Sequence, residues 1–322
     1  MQLNTMKETN EFTLDLERLV LENHDQCVSC KHRFLLNEIT HSGYGEGGGP
    51  LYVCDSCASL LTETAARYAY LPLPYSRPNT HSKLWRYMDF TKYLSLLFTQ
   101  SLHFSRADFL DDRYEGAKGL RRNKERWDQY YLDFFRDALL NAPDGAVSDL
   151  SAEEIEKKAL TFISDLEVHG ANAKLNNFVS CWHESEHESE AMWKLYSSFL
   201  PNAVAVRTTY GHLYRSLDRN PKVKIGRINY IDFNKSYAGV NSAFWHKRTS
   251  FEHEREVRAL IWDHECKDVG KLVKCDLSTL IQEVFVSPKA SGWFVDIVND
   301  VNRLYGLAVK VSNSELAEDA FF

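Results

Sequence analysis

Residues 256–287 read EVRALIWDHECKDVGKLVKCDLSTLIQEVFVS, and this stretch decides the fold class. Three short runs rich in Val, Ile, Leu and Phe, over 256–262, 272–275 and 283–287, are parted by polar segments, as strands are. Working outward, further strands are expected at 84–87, 102–105, 177–182, 203–208 and 223–230, and a last one at 307–311. Helices are expected at 91–99, 112–140, 151–168, 189–199 and 291–304, with the two long polar ones parted by Asn141-Ala-Pro-Asp-Gly145. Hairpin-like strand neighbours late in the chain and helices clustered early indicate an α+β fold, with a split, bent and mainly antiparallel sheet. A doubly wound parallel sheet would need a glycine-rich first turn that this chain lacks.

Within the opening stretch, period-two alternation carried back to Glu254 puts Glu254, Glu256 and Arg258 on one face. Two carboxylates beside an arginine are costly unless that face meets solvent, a partner or a ligand. Val257, Ala259, Ile261 and Trp262 would supply the covered face.

The chain has 322 residues, 44% of them apolar and 26% charged, as in a globular protein with one large and one small domain. No run approaches the roughly 18 apolar residues of a membrane span. The net charge of −7 argues against a surface coated with cations for non-specific duplex binding. Arg121, Arg122, Lys124 and Arg126 form one local basic cluster, but Glu125 and Asp128 interleave it, and it reads as a solvated helix face.

Four cysteines carry the most specific spacing, Cys27-x-x-Cys30 followed by Cys54-x-x-Cys57. Two such pairs close a tetrahedron of thiolates around one Zn²⁺ and leave no position for substrate, so the site would be structural. Disulfides would need an export route, and residues 1–19 contain no apolar core of a signal peptide. A redox pair would not need a second copy. Seven cysteines in all, with Cys181, Cys266 and Cys275 scattered, fit a reducing cytosol. A helix over 11–23, a glycine-rich turn at 47–50 feeding the strand 51–53, and a helix after Cys57 give the layout of a treble-clef finger. The expected organisation is an N-terminal helix and zinc module over 1–70, a proline-rich linker over 71–82, and a main domain over 83–322.

The segment from 84 to about 313 resembles the bacterial family catalogued as domain of unknown function 2971. The resemblance rests on Leu84-Trp85-Arg86-Tyr87, Leu102-His103-Phe104-Ser105, the acidic turn 109–116, Phe178-Val179-Ser180-Cys181-Trp182, Met192-Trp193-Lys194-Leu195-Tyr196, Lys247, and 251–258. Two places depart from the family's pattern. The turn carries Asp111-Asp112-Arg113-Tyr114-Glu115 in place of Asn-Asp-Pro-Phe-Glu, and Leu200-Pro201-Asn202 replaces a glycine.

The order of Arg86 on an early strand, Ser180 on a small-polar strand and a Glu-x-Glu on a late strand resembles ADP-ribosyltransferases. That resemblance implies an NAD-using enzyme modifying a nucleic-acid or protein acceptor, in a toxin-like or phage-defence setting. Arg86 would grip the dinucleotide, Ser180 would line the pocket, and Glu256 would stabilise the ribosyl cation. Glu254 would orient the acceptor or take its proton, and Tyr87, Trp193 or Tyr196 could stack on a ring. Each has a plainer reading. Arg86 pairs with a buried carboxylate such as Glu115 or Glu256, and Trp193 and Tyr196 pack in the core.

Two other functions stay open. Asp111, Asp112, Glu115, Glu254 and Glu256 could cage Mg²⁺ in a nuclease, or the chain could be a non-enzymatic recognition scaffold. His183-Glu184-Ser185-Glu186-His187 matches the zincin order literally. It follows a strand in an acidic, serine-rich stretch, and reads as a loop leading to a helix.

Overall fold

The computed structural model describes residues 27, 30, 32, 34, 40–44, 50–57, 71–72, 74–141, 150–197, 200–218, 220, 222–240 and 242–321. The expected helices at 11–23 and after Cys57, and the glycine turn at 47–49, lie outside them. Near the N-terminus β1 (Thr40–Tyr44), β2 (Pro50–Cys54) and β3 (Leu71–Pro72) form a small sheet in the order β2-β1-β3. Its antiparallel β1–β2 register ends on Thr40 opposite Cys54.

The main sheet contains nine strands among the described residues and is mostly antiparallel. Its strands are β4 (Lys83–Asp89), β5 (Ser101–Arg106), β6 (Asn177–Glu184), β7 (Ala203–Thr209), β8 (Val223–Arg227), β11 (Glu256–Trp262), β12 (Gly270–Lys274), β13 (Glu283–Val286) and β14 (Lys310–Asn313). β9 (Asn229–Ile231) and β10 (His246–Arg248) form a separate parallel pair. Among the described residues, the main domain carries the helices α1 (Phe90–Thr99), α2 (Lys124–Leu140), α3 (Ala152–Asn176), α4 (Glu190–Tyr196), α5 (Tyr210–Ser216), α6 (Leu277–Leu280) and α7 (Gly292–Leu304). No helix among the described residues is long and apolar enough to cross a membrane.

The α+β class holds, but hairpins between late strands do not produce it. β11 pairs with β6 and β8, β12 with β5, and β13 with β7, so each late strand completes an early one. The last pair, β13 and β14, is parallel and is joined through α7.

The order β12-β5-β6-β4-β7-β13-β14 contains a split, because β5 and β4 share one edge of β6. β5 pairs only with Phe178 and Val179, and β4 only with His183 and Glu184. Ser180, Cys181 and Trp182 therefore have no strand partner on that edge, and a wedge opens between β4 and β5. Helix α1 closes its back. Asp89 caps α1 by accepting the Lys92 N–H at 2.9 Å, and Gln100 ends it in the left-handed conformation, φ 48°. The main core covers one face of the sheet with Leu84, Met88, Phe104, Phe178, Trp182, Val257, Ala259 and Ile261. Trp262 departs from the expected covered face, because its parity is that of Glu256, and it is exposed.

Two helices also differ from expectation. α2 begins at Lys124, so residues 112–120 form a loop that folds back onto β11. α3 runs on to Asn176 from a capping box of Ser151 and Glu154. Arg136 joins α2 to α3 through a two-pronged pair with Glu156, both contacts 2.7 Å. In the proline-rich stretch, Tyr75 stacks on Trp245 at 4.1 Å and Ser76 bridges to Arg227, so residues 75–76 lie against the main sheet.

Candidate functional site

A cavity of about 450 Å³ fills the wedge. Arg86, Tyr87 and Met88 of β4, Ser180–His183 of β6 and Ser101, His103 and Ser105 of β5 line it, with Lys92 and Leu96 from α1 behind and Glu254 and Glu256 also on its wall. Strand parity divides these groups. Arg86, Ser180 and Trp182 belong to the face of the main core, and Tyr87, Cys181, His183 and Glu256 to the opposite face. The missing strand partner along residues 180–182 is what lets one cavity reach both faces.

Arg86 donates to the His103 carbonyl at 3.1 Å and lies over the Trp182 ring, 5.6 Å from its centroid. Among the described residues no carboxylate comes within ion-pair distance of it. The alternative of a buried pair with Glu115 or Glu256 is thus overturned, since Arg258 takes both of those carboxylates. Burial without a counter-charge pushes the Arg86 guanidinium below its ordinary value. Burial, and then the Arg86 charge, push the neighbouring His103 imidazole down as well. Ser180 is buried, and among the described residues its hydroxyl has no hydrogen-bond partner. The buried indole N–H of Trp182 has none among them either.

The carboxylate side of the cavity is assembled from three segments. Arg258 is fully buried, donates to Glu256 Oε1 through Nε at 2.7 Å, and grips both oxygens of Glu115 with its two Nη groups. It also donates to the Phe244 carbonyl at 2.8 Å. Lys247 lies between the other two acids, 2.6 Å from Glu254 Oε2 and 2.7 Å from Glu256 Oε2. The Tyr230 hydroxyl accepts the Glu256 N–H at 2.7 Å. Burial pushes the Glu256 carboxyl up, but Arg258 and Lys247 outweigh it and hold Glu256 well below the usual carboxylate range. Lys247 is held above its ordinary value, because Glu256 and Glu254 outweigh its burial. Three carboxylates against two cations leave this cluster with a formal excess of negative charge.

Glu254 does not sit on β11 as expected. It ends a 3₁₀ turn over Thr249–Glu254, and Arg255 in the left-handed region, φ 41°, separates it from the strand. Its carboxylate still reaches the same lysine as Glu256. Tyr196 donates to Glu254 Oε1 at 3.1 Å and lines the cavity. Tyr87 lines it too, with its hydroxyl accepting the Ser189 N–H at 2.9 Å. Trp193 does not. It is fully buried among Trp85, Tyr87 and Met192, and its indole donates to Glu188. The sequence offers His183 only within the zincin order, and Lys247 and Cys181 only among the residues of the family resemblance, with no role in the site. The fold-back of Lys247 onto Glu254 and Glu256 is what marks it.

The carboxylate cage for Mg²⁺ does not form. Glu115 and Glu256 hold Arg258, Asp112 holds Arg248 at 3.0 Å, and the four cysteines are the one metal-competent group found among the described residues. The zincin order fails as well, because His183 and Glu184 end β6 and α4 begins only at Glu190. His183 Nδ1 instead meets the Glu254 carbonyl at 2.6 Å, and Glu184 takes both prongs of Arg227 at 2.7 and 2.8 Å.

The sulfurs of Cys27, Cys30, Cys54 and Cys57 all lie within 4.8 Å of one another. Cys30 and Cys54 are 3.8 Å apart, close to the separation of about 3.8 Å that Zn–S bonds of about 2.3 Å impose on a tetrahedron. Burial pushes the Cys54 thiol up to about 12. A bound cation would reverse that, since metal binding deprotonates its thiol ligands. Donor type and spacing both fit the ion.

No protein-family model matches the chain, so the resemblance to domain of unknown function 2971 gains no support from that comparison. No curated protein matches it either. Two solved structures are similar, both of DarT from Thermus sp. 2.9. The complex with ADP-ribosylated ssDNA has a TM-score of 0.33 at 8% identity, covering 75% of this chain and 98% of that one. The complex with NAD+ has a TM-score of 0.32 at 8% identity, covering 74% and 98%. At that level of superposition the likeness assigns no chemistry to this chain.

Proposed function

We propose that the wedge cavity binds NAD and that the protein transfers ADP-ribose from it to a macromolecular acceptor. One observation carries this reading: Arg86, a cation with no carboxylate partner among the described residues, shares a cavity with the anionic cluster of Glu254 and Glu256. A dinucleotide with a cationic nicotinamide presents both complementary charges. The guanidinium fork suits the pyrophosphate. As the bond between nicotinamide and ribose breaks, its electron pair leaves with nicotinamide and positive charge develops on the ribose. Glu256, kept ionised by Arg258 and Lys247, stabilises that charge. A nucleophilic atom of the acceptor then bonds to the ribose carbon, and Glu254 takes its proton.

The zinc module would staple the N-terminal region and present it to the acceptor, with treble-clef layout as the proposed form. The toxin-like or phage-defence setting rests on the resemblance in sequence.

Incubation with labelled NAD and protein, DNA or RNA acceptors tests the reading. Glu256→Gln is expected to slow transfer by roughly a hundredfold or more, because it removes an electrostatic stabiliser of the transition state. NAD binding should survive that change better than turnover does. Transfer at the parent rate by Glu256→Gln would overturn the assignment.

A further inference from the structure

A second cavity, of about 460 Å³, lies outside the wedge, between the loop 116–121, the start of α2 and the last turns of α3. Its chemistry is not used by the proposed transferase. Lys118 dominates it. The ammonium donates to the Leu166 carbonyl at 2.9 Å and lies over the Trp127 ring, 4.7 Å from the centroid. Lys174 reaches only the Arg113 carbonyl, at 3.0 Å. Among the described residues neither lysine, nor Arg121, has a carboxylate within ion-pair distance. The two acids on the wall, Asp128 and Glu167, are both taken by Lys124. Four cations, Lys118, Arg121, Lys124 and Lys174, against these two acids leave the cavity with a formal excess of positive charge.

Two further features mark the cavity. Trp127 is buried, at 7% exposure, and its indole N–H has no acceptor among the described residues. Gly170 makes the room for Lys118, since a Cβ there would stand 2.9 Å from Nζ. Burial lowers the Lys118 pKa, a cost that a bound anion would relieve.

We infer that this cavity is a binding site for a small organic anion, a phosphate or carboxylate group carried on an apolar body. Lys118 and Lys174 would meet the anionic group, and Trp127 would donate its indole N–H to the same molecule. The inference does not depend on the NAD reading.

Calorimetric titration of the full chain with phenyl phosphate tests it, with benzoate and inorganic phosphate as arms that separate the head group from the apolar body. Phenyl phosphate or benzoate should bind at millimolar concentration or better, one per chain, and more tightly than inorganic phosphate. Lys118→Met should weaken binding roughly tenfold or more, the scale of one lost charge-assisted hydrogen bond. Gly170→Ala should do the same while the protein melts normally, because alanine suits a helix and only the tip of a flexible side chain must move. Arg86→Ala, in the other cavity, should leave this binding unchanged. Absence of binding by both organic anions, binding indifferent to both Lys118→Met and Gly170→Ala, or binding abolished by Arg86→Ala would each overturn the site.

Discussion

Arg258 and Glu256 stand two residues apart on one face of β11 and close on each other, Nε to Oε1 at 2.7 Å. The guanidinium is fully buried, and its far side is held by Glu115 from the loop ahead of α2. An acidic turn and a late strand, distant in sequence, thus share one charge. The candidate catalytic carboxylate is fixed in place by a group that never meets solvent.

Stability should register that arrangement first. Glu115→Ala leaves a buried arginine short of a partner, and breaking such a pair costs about 3–5 kcal/mol. Urea denaturation measures it. A loss below about 1 kcal/mol would show that Arg258 does not depend on Glu115.

Arg86→Ala should behave in the opposite way. No carboxylate loses its counter-ion, so the urea midpoint should stay near that of the parent. NAD affinity should fall roughly tenfold to a hundredfold, the worth of a charge-assisted contact. Equilibrium dialysis with labelled NAD reads the affinity, and a large drop in stability would mark Arg86 as structural instead.

Acid should destabilise the fold through Glu256. Its folded value lies below the ordinary 4.5, so below that pH the unfolded chain binds a proton that the folded protein still refuses. The stability it contributes is complete above 4.5 and is lost as pH falls through the folded value. Denaturation midpoints followed downward in pH should drop more steeply in the parent than in Glu256→Gln. Equal slopes would place the acid sensitivity elsewhere.

The cysteine cluster should hold about one zinc per chain, measurable by elemental analysis. Cys27→Ser should lose the metal and expose the module around β1 and β2 to protease, while the main sheet keeps its melting transition. Full metal content in that variant would remove Cys27 from the ligand set.

The strand pattern and the paired cysteines were legible because they rest on local chemistry. Alternating apolar residues make strands wherever they later pair, and two Cys-x-x-Cys turns each bring two sulfurs together. Arg86, Ser180 and Glu256 were picked out by their order along the chain, and the structure brings all three to the wall of one cavity. Their partners could not be read that way. Glu115 pairs with Arg258 across the fold, and Trp193 fills the core because helix α4 turns it inward.

The sequence by itself determined where most strands of the main sheet lie, that the class is α+β, and where four cysteine sulfurs would gather. Only the tertiary structure decided that β4 and β5 both pair with one edge of β6 and leave Ser180–Trp182 free between them. It also decided that Lys247, Arg248 and Arg258 pair with the acids that could have caged a metal. Periodicity and spacing are set by covalent geometry within a few residues. Strand pairing and charge pairing are set by which distant segments bury surface together, and that is a property of the folded chain alone.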